Sequence, residues 1–237
     1  MPPFTDIIVY AILLIAGVWT YTSGKLTIAG SITGVITGFI IFKGADLVGF
    51  VLLTFFFTVG SAATKWQLGK KAMMNATDTA NGRRTAGQVI ANSGVACILA
   101  LLALWRNEYL PVMQLMIAGS FAAATADTLS SELGTVYGRS FYNIITLKKD
   151  TRGLDGVISL EGTLIGTIGA FAIAVIYALF LGWSIHVLWI AIAGFTGNII
   201  DSVLGATLER KGLMGNNVVN FLNTAVGAIV CGLFLLF

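Results

Sequence analysis

Three acids set among apolar residues, Asp127, Glu132 and Asp201, are the first candidates for chemistry. A carboxylate in such surroundings has to face water, a cation or a partner, because burying it alone is prohibitive. Asp127 lies on the stripe Gly119, Ala123, Asp127, Ser131, Gly134, with Glu132 just beyond. Asp201 lies on Gly194, Gly197, Asn198, Asp201, Gly205, followed by Glu209. Helical spacing puts each stripe on one face. Thr54, Thr58, Ser61 and Lys65 form a similar polar face, as do Gln88 with Asn92, and Asn216, Asn217, Asn220, Asn223 and Thr224. Carboxylates flanked by Asn, Ser and Thr, with no Cys/His cluster, favour a hard divalent cation held by oxygen, and Mg²⁺ characteristically binds one or two carboxylates plus substrate phosphates. Asp127, Glu132 and Asp201 are the expected catalytic metal ligands. Lys65, Arg83, Arg84 and Arg139 are the cations expected on phosphate, with Gly82 and Gly138 permitting close backbone approach. Asn217 and Asn220 are expected on substrate or metal-bound water.

The elements that position these residues follow from composition. The chain has 237 residues, 57% hydrophobic and 11% charged, with a mean hydropathy of +0.88. Soluble domains carry roughly 25% charged residues, so a water-facing surface cannot be built from this inventory. The fold class is therefore all-α, a polytopic membrane bundle forming one transmembrane domain over 1–237, with no room for a separate soluble catalytic domain. Apolar runs predict about eight spans: 5–22, 26–42, 46–64, 86–105, 109–134, 161–182, 185–208 and 216–237. The first run lacks a basic leader and a small-x-small cleavage site and is expected to stay attached. Cys97 and Cys231 fall inside apolar runs and read as small hydrophobes. His186, between Trp183 and Trp189, reads as part of an interfacial aromatic belt.

Alternate connections then separate the cations. Lys25, Lys65, Lys70, Lys71, Arg83, Arg84, Arg139, Lys148, Lys149, Arg152, Arg210 and Lys211 fall on one side, against Lys43 and Arg106 on the other. That bias makes the first side cytoplasmic and leaves both termini outside. Topology alone accounts for most of these cations. The polar stripes occupy the same side by an independent reading, so they are expected to meet in one pocket. A weaker pattern, Ile117-Ala118-Gly119 leading to Asp127-Thr128 beside Ile192-Ala193-Gly194 leading to Asp201-Ser202, hints at an internal duplication.

Four ordered segments carry a resemblance: Ala126-Asp127-Thr128-Leu129-Ser130-Ser131-Glu132-Leu133-Gly134, Gly156-Val157-Ile158-Ser159-Leu160-Glu161-Gly162-Thr163, Gly197-Asn198-Ile199-Ile200-Asp201-Ser202-Val203-Leu204-Gly205-Ala206-Thr207-Leu208, and Asn216-Asn217-Val218-Val219-Asn220. They are similar to the motifs of the membrane family catalogued as domain of unknown function ninety-two, typified by plant phytyl-phosphate kinase. Phe55 to Lys65 and Gly82-Arg83-Arg84 with Gln88-Val89 extend the match. Gly134-Thr135-Val136-Tyr137-Gly138-Arg139 and Glu161-Gly162 also resemble, more distantly, a pattern of polyprenol kinases and CDP-diglyceride synthases. The resemblance implies a Mg²⁺-dependent kinase that takes a phosphoryl group from CTP to an isoprenoid monophosphate. It implies a nucleoside triphosphate, a prenyl or phytyl phosphate and membrane lipids as partners, with no nucleic acid. Homo-oligomerisation is left open, and the membrane is the plasma membrane if the source is prokaryotic. The residues also admit nucleotidyl transfer forming a CDP-lipid, a transporter with intramembrane aspartates, or a scaffold knitted by polar contacts.

Overall fold

The computed structural model describes residues 3–73 and 83–234. Its long helices are α1 (Pro3–Thr22), α2 (Ile28–Lys65), α4 (Ala86–Trp105), α5 (Leu110–Tyr137), α6 (Leu160–Leu181), α7 (His186–Leu204) and α8 (Asn216–Leu233), with a short α3 (Leu68–Met73). Seven of these helices are long and apolar enough to cross a membrane. The expected eight spans and these seven helices are reconciled inside α2. At 38 residues it would extend about 57 Å if straight, nearly twice the ~30 Å hydrocarbon core. The helix instead breaks at Asp46, whose φ of 58° and ψ of −163° are non-helical. Its two arms, 28–45 and 47–65, fold back on each other, so that the Phe42 and Phe50 rings meet edge to face at 6.1 Å. At the tip the Gln114 amide donates to the Ala45 carbonyl at 3.1 Å, satisfying one acceptor near the break. With the two arms counted separately, the described residues hold eight long helical segments.

Local chemistry sets the other boundaries. Thr27 caps α2 by accepting from the Gly30 N–H, Thr85 and Gln88 form a reciprocal capping box on α4, and Ser159 accepts from the Gly162 N–H to start α6. α5 runs through the middle of the bundle, packed against α2, α4, α6, α7 and α8. Its small residues permit this. Gly119 and Gly227 bring α5 and α8 so close that a Cβ on either would collide with the other's backbone carbonyl. Without a hydrophobic driving force between spans, such close packing is what holds them together. α1 is different, packing chiefly on α2 and leaving Phe4, Ile7, Leu14, Ile15 and Val18 exposed to the bilayer.

The loop between α5 and α6 adds one feature outside the all-α expectation. Tyr142–Asn143 (β1) pairs antiparallel with Val157–Ile158 (β2), Tyr142 opposite Ile158 and Asn143 opposite Val157. This small ribbon folds the loop over the end of α7.

Candidate active site

The basic end of the bundle contains a cavity of ≈ 190 Å³ lined by α2, α3, α4, α5, α7, α8 and the ribbon loop. α5 contributes Asp127 and Glu132, α7 contributes Asn198, Asp201 and Ser202, and α8 contributes Asn216 and Asn220. Gln88 and Asn92, one turn apart, enter from α4. The carboxyl groups of Asp127 and Asp201 lie within hydrogen-bonding reach of each other, and the Asn223 amide approaches Asp201 Oδ1 at 3.4 Å. Beyond them α7 widens into a π-helical turn, Gly205–Glu209. Such turns recur at functional sites because they re-aim the flanking side chains. Here Gly205 meets the ribbon loop: a Cβ on it would lie 2.9 Å from the Gly156 nitrogen.

Arg84 reaches the cavity from a short bridged segment. Its N–H donates to the Lys25 carbonyl at 2.9 Å and its carbonyl accepts from the Thr27 N–H at 3.0 Å. The guanidinium donates to Thr64 Oγ1 at 3.3 Å and sits 5.6 Å from the Phe56 ring centroid. Gly60 makes this placement feasible, since a Cβ there would stand 2.9 Å from Arg84 Nη2. Burial pulls the Arg84 pKa down from its ordinary value, while the fields of Glu132 and Asp127 oppose that shift. An arginine stays charged through such a perturbation.

Five of the residues expected to act together therefore do share one cavity: Asp127, Glu132, Asp201, Arg84 and Asn220. Four do not line it. Lys65 is exposed and donates to the Ser23 carbonyl at 2.9 Å. Arg83 is exposed and lies against Gly24, and Arg139 is exposed with its backbone N–H 3.4 Å from Glu161 Oε2. Asn217 is exposed beside Gly87. Gly82 lies outside the described residues, and Gly138 closes against Phe141 and Ser159 without lining the cavity.

The three carboxylates expected to hold a metal are not equivalently placed. Glu132 Oε2 accepts from the Lys71 ammonium at 2.6 Å, and among the described residues no three His, Cys, Asp or Glu side chains converge to hold a metal. The Asp127–Asp201 pair alone fits a Mg²⁺ ion that keeps waters and shares substrate oxygens, because two adjacent carboxyls supply two hard ligands and gain from a cation between them. Lys71 is the residue that sequence reasoning did not single out. It is 1% exposed and spends its protons on Glu132 and on the Ala63 and Thr64 carbonyls at 2.7 and 3.3 Å, closing the end of α2. Nothing in the sequence separates it from Lys70.

A helical membrane bundle with an acid pair and an arginine gathered at its basic end defines the class. Residues 11–228 match the model of the integral membrane protein family DUF92, and the chain belongs to that family. It is 35% identical to the uncharacterized membrane protein MJ0933 of Methanocaldococcus jannaschii over 85% of this chain and 82% of that one. It is 30% identical to protein VTE6, chloroplastic, of Arabidopsis thaliana over 86% of this chain, spanning 64% of that protein's length. Protein PGR of the same plant is 28% identical over 89% of this chain and 81% of its own. No solved structure matches.

Proposed function

We propose that this protein is a membrane-embedded phosphotransferase that moves the γ-phosphoryl group of CTP to an isoprenoid monophosphate, giving the lipid diphosphate and CDP. The observation that carries the reading is the convergence of the Asp127–Asp201 pair and Arg84 on one polar cavity at the basic end. Membership of the family, and its resemblance to plant phytyl-phosphate kinase, supports the same chemistry.

The reaction asks little of the protein in proton transfer. An acceptor phosphate oxygen is already anionic, so it attacks the γ-phosphorus as the bond to the β–γ bridging oxygen breaks and CDP leaves with the electron pair. Positioning and charge stabilisation do the rest, which is why no histidine or cysteine is required. Asp127 and Asp201 would hold Mg²⁺, which when bound neutralises charge on the donor phosphates. Arg84 suits phosphate oxygens through its planar fork. Asn216 and Asn220, joined at 3.1 Å, and Asn198 present amides that orient substrate groups around the acid pair. The Lys71–Glu132 pair, its charges mutually satisfied, fixes α5 against the end of α2.

A transport reading needs a polar route onward from the acids. The packing toward the far end of α5 argues against one: Ile117, Ala118, Phe121, Ala122, Ala123, Ala124 and Ala126 are fully buried there. The two hydroxyls among them, Ser120 and Thr125, are closed in as well, Thr125 on the Phe121 carbonyl. The experiment is incubation of purified protein with CTP or ATP and a panel of isoprenoid alcohols and monophosphates, followed by mass spectrometry. CDP with a prenyl diphosphate supports the reading. Pyrophosphate with a CDP-lipid identifies a nucleotidyltransferase and overturns it, as does the absence of any turnover.

A further inference from the structure

A second cavity, ≈ 180 Å³ and almost wholly apolar, lies between α1, the two arms of α2 and the start of α4. Leu13, Val35, Phe50, Leu53, Phe56 and Phe57 line its length. The hydroxyls of Thr37, Thr54 and Ser93, which also line it, are turned onto carbonyls of their own helices at 3.1, 2.8 and 2.7 Å. Its polarity is instead concentrated at one end, where Arg84, Gln88 and Asn92 border both this cleft and the polar cavity. Asn92 is 7% exposed, and its Oδ1 is buried without a hydrogen-bond partner. A buried acceptor left unpaired is costly, so it marks a place where a donor or a hydrated head group belongs.

We infer that this cleft receives the apolar chain of a single-tailed lipid phosphomonoester, the acceptor, with its head group passing Arg84 into the polar cavity. The assignment of the occupant as acceptor rests on the phosphotransferase reading. An apolar length ending in one arginine is complementary to a chain carrying one phosphate. Asn92 Nδ2 already donates to the Gln88 carbonyl, which leaves Asn92 Oδ1 to accept from a phosphate hydroxyl or a water of the head group. The cleft's volume accommodates only the first part of a long chain. The remainder leaves sideways, because α1 packs chiefly on α2 and Ile12 and Trp19, both lining the cleft, are 44% and 51% exposed toward lipid. α1 is thus the side wall past which such a chain enters. A cleft of ≈ 180 Å³ with one polar end holds part of one chain and selects against two-chain phospholipids.

The test is photocrosslinking of the purified full chain with a diazirine-bearing diterpenyl monophosphate, without nucleotide, and mapping of the labelled peptides. Labels on α1, α2 and the start of α4, displaced by unlabelled diterpenyl monophosphate and not by the alcohol or by phosphatidylglycerol, support the inference. Labels confined to the outer faces of α6 to α8, or equal displacement by phosphatidylglycerol, overturn it. Turnover of CTP is measured in parallel so that the two readings fail separately. Cleft labelling without turnover removes the phosphotransferase reading and keeps the lipid site; turnover without cleft labelling does the reverse. A second arm uses Gly34→Phe. A Cβ at Gly34 meets only Leu26 Cδ1 at 3.7 Å, so the ring enters the cleft without a backbone clash. KM for the diterpenyl acceptor should rise at least about tenfold while that for isopentenyl monophosphate moves less than about twofold. An equal effect on both acceptors would contradict the cleft assignment.

Discussion

The Lys71 ammonium lies 2.6 Å from Glu132 Oε2 and also caps the Ala63 and Thr64 carbonyls, so a lysine 1% exposed is fully occupied by the protein itself. The pair therefore ties α5 to the end of α2, and Glu132 already has a cation of the protein's own against it.

This predicts a stability phenotype. Lys71→Ala leaves Glu132 unpaired and should cost about 3 kcal/mol, the low end for a broken buried pair because the Glu132 side chain keeps 24% of its exposure. For a chain of this length that lowers the melting temperature by about 6–12 °C. Adding Glu132→Gln should recover part of the loss, and the folded double variant should keep its activity within about tenfold of the parent. Thermal unfolding in detergent, read beside turnover, checks both statements.

Arg83 and Arg84 are neighbours with opposite fates, and their substitution should separate them. Arg84→Gln should raise KM for the phosphate acceptor by about 10²-fold, the loss expected for a charge-assisted contact of about 3 kcal/mol. Arg84→Lys should recover only part, since an ammonium lacks the fork. Arg83→Gln should stay within about twofold of the parent, being a solvated cation. Steady-state kinetics at fixed CTP measure all three.

These adjacent arginines also show where sequence reading stops. In the bridged segment beside Leu26, successive side chains point to opposite sides, so Arg84 turns inward and Arg83 outward. That bridge is a long-range contact with no local signal. Asn216 and Asn220 share a face at i, i+4 and line the cavity together, whereas Asn217, a third of a turn away, points out. The choice needed the rotational setting of α8, which only packing fixes. Asp127 and Asp201 were legible because acids are so scarce in these spans that each requires a polar destination. The α2 break was legible as a boundary near residues 42–46, from the length limit on a span. The ribbon was not, since strands of two residues carry no periodicity.

Asp46 holds a backbone conformation, φ 58° and ψ −163°, that is essentially reserved for glycine. Asp46→Gly should stabilise the hairpin by about 1 kcal/mol net of the added chain entropy, raising the melting temperature by about 2–4 °C without altering turnover. Asp46→Val should lower it.

Arg210 ties the ribbon loop to the end of α7, donating to Asp150 Oδ2 at 2.8 Å and to the Asp155 carbonyl at 2.6 Å. The guanidinium, helped by the Thr151 N–H, holds the Asp150 carboxyl below its ordinary value of 3.8. A depressed carboxylate contributes stability above its unfolded pKa and loses it as pH falls through the folded one. The loop should thus become easier for pepsin to cleave as pH falls below the ordinary carboxylate range, where Asp150 takes up its proton. Arg210→Gln should make it cleavable at higher pH, and an unchanged cleavage profile would contradict the clasp.

The central claim is that Asp127 and Asp201, brought together from α5 and α7, support phosphoryl transfer from CTP to a prenyl phosphate. The most direct measurement follows γ-labelled CTP with purified protein, Mg²⁺ and a diterpenyl monophosphate, using the parent and folded Asp127→Asn and Asp201→Asn variants. Label should appear in a lipid diphosphate with the parent, disappear when Mg²⁺ is chelated, and fall by about 10²–10³-fold in each variant, the scale for losing a preorganised electrostatic group. Near-parental transfer by either asparagine variant, or label released as pyrophosphate, would contradict it.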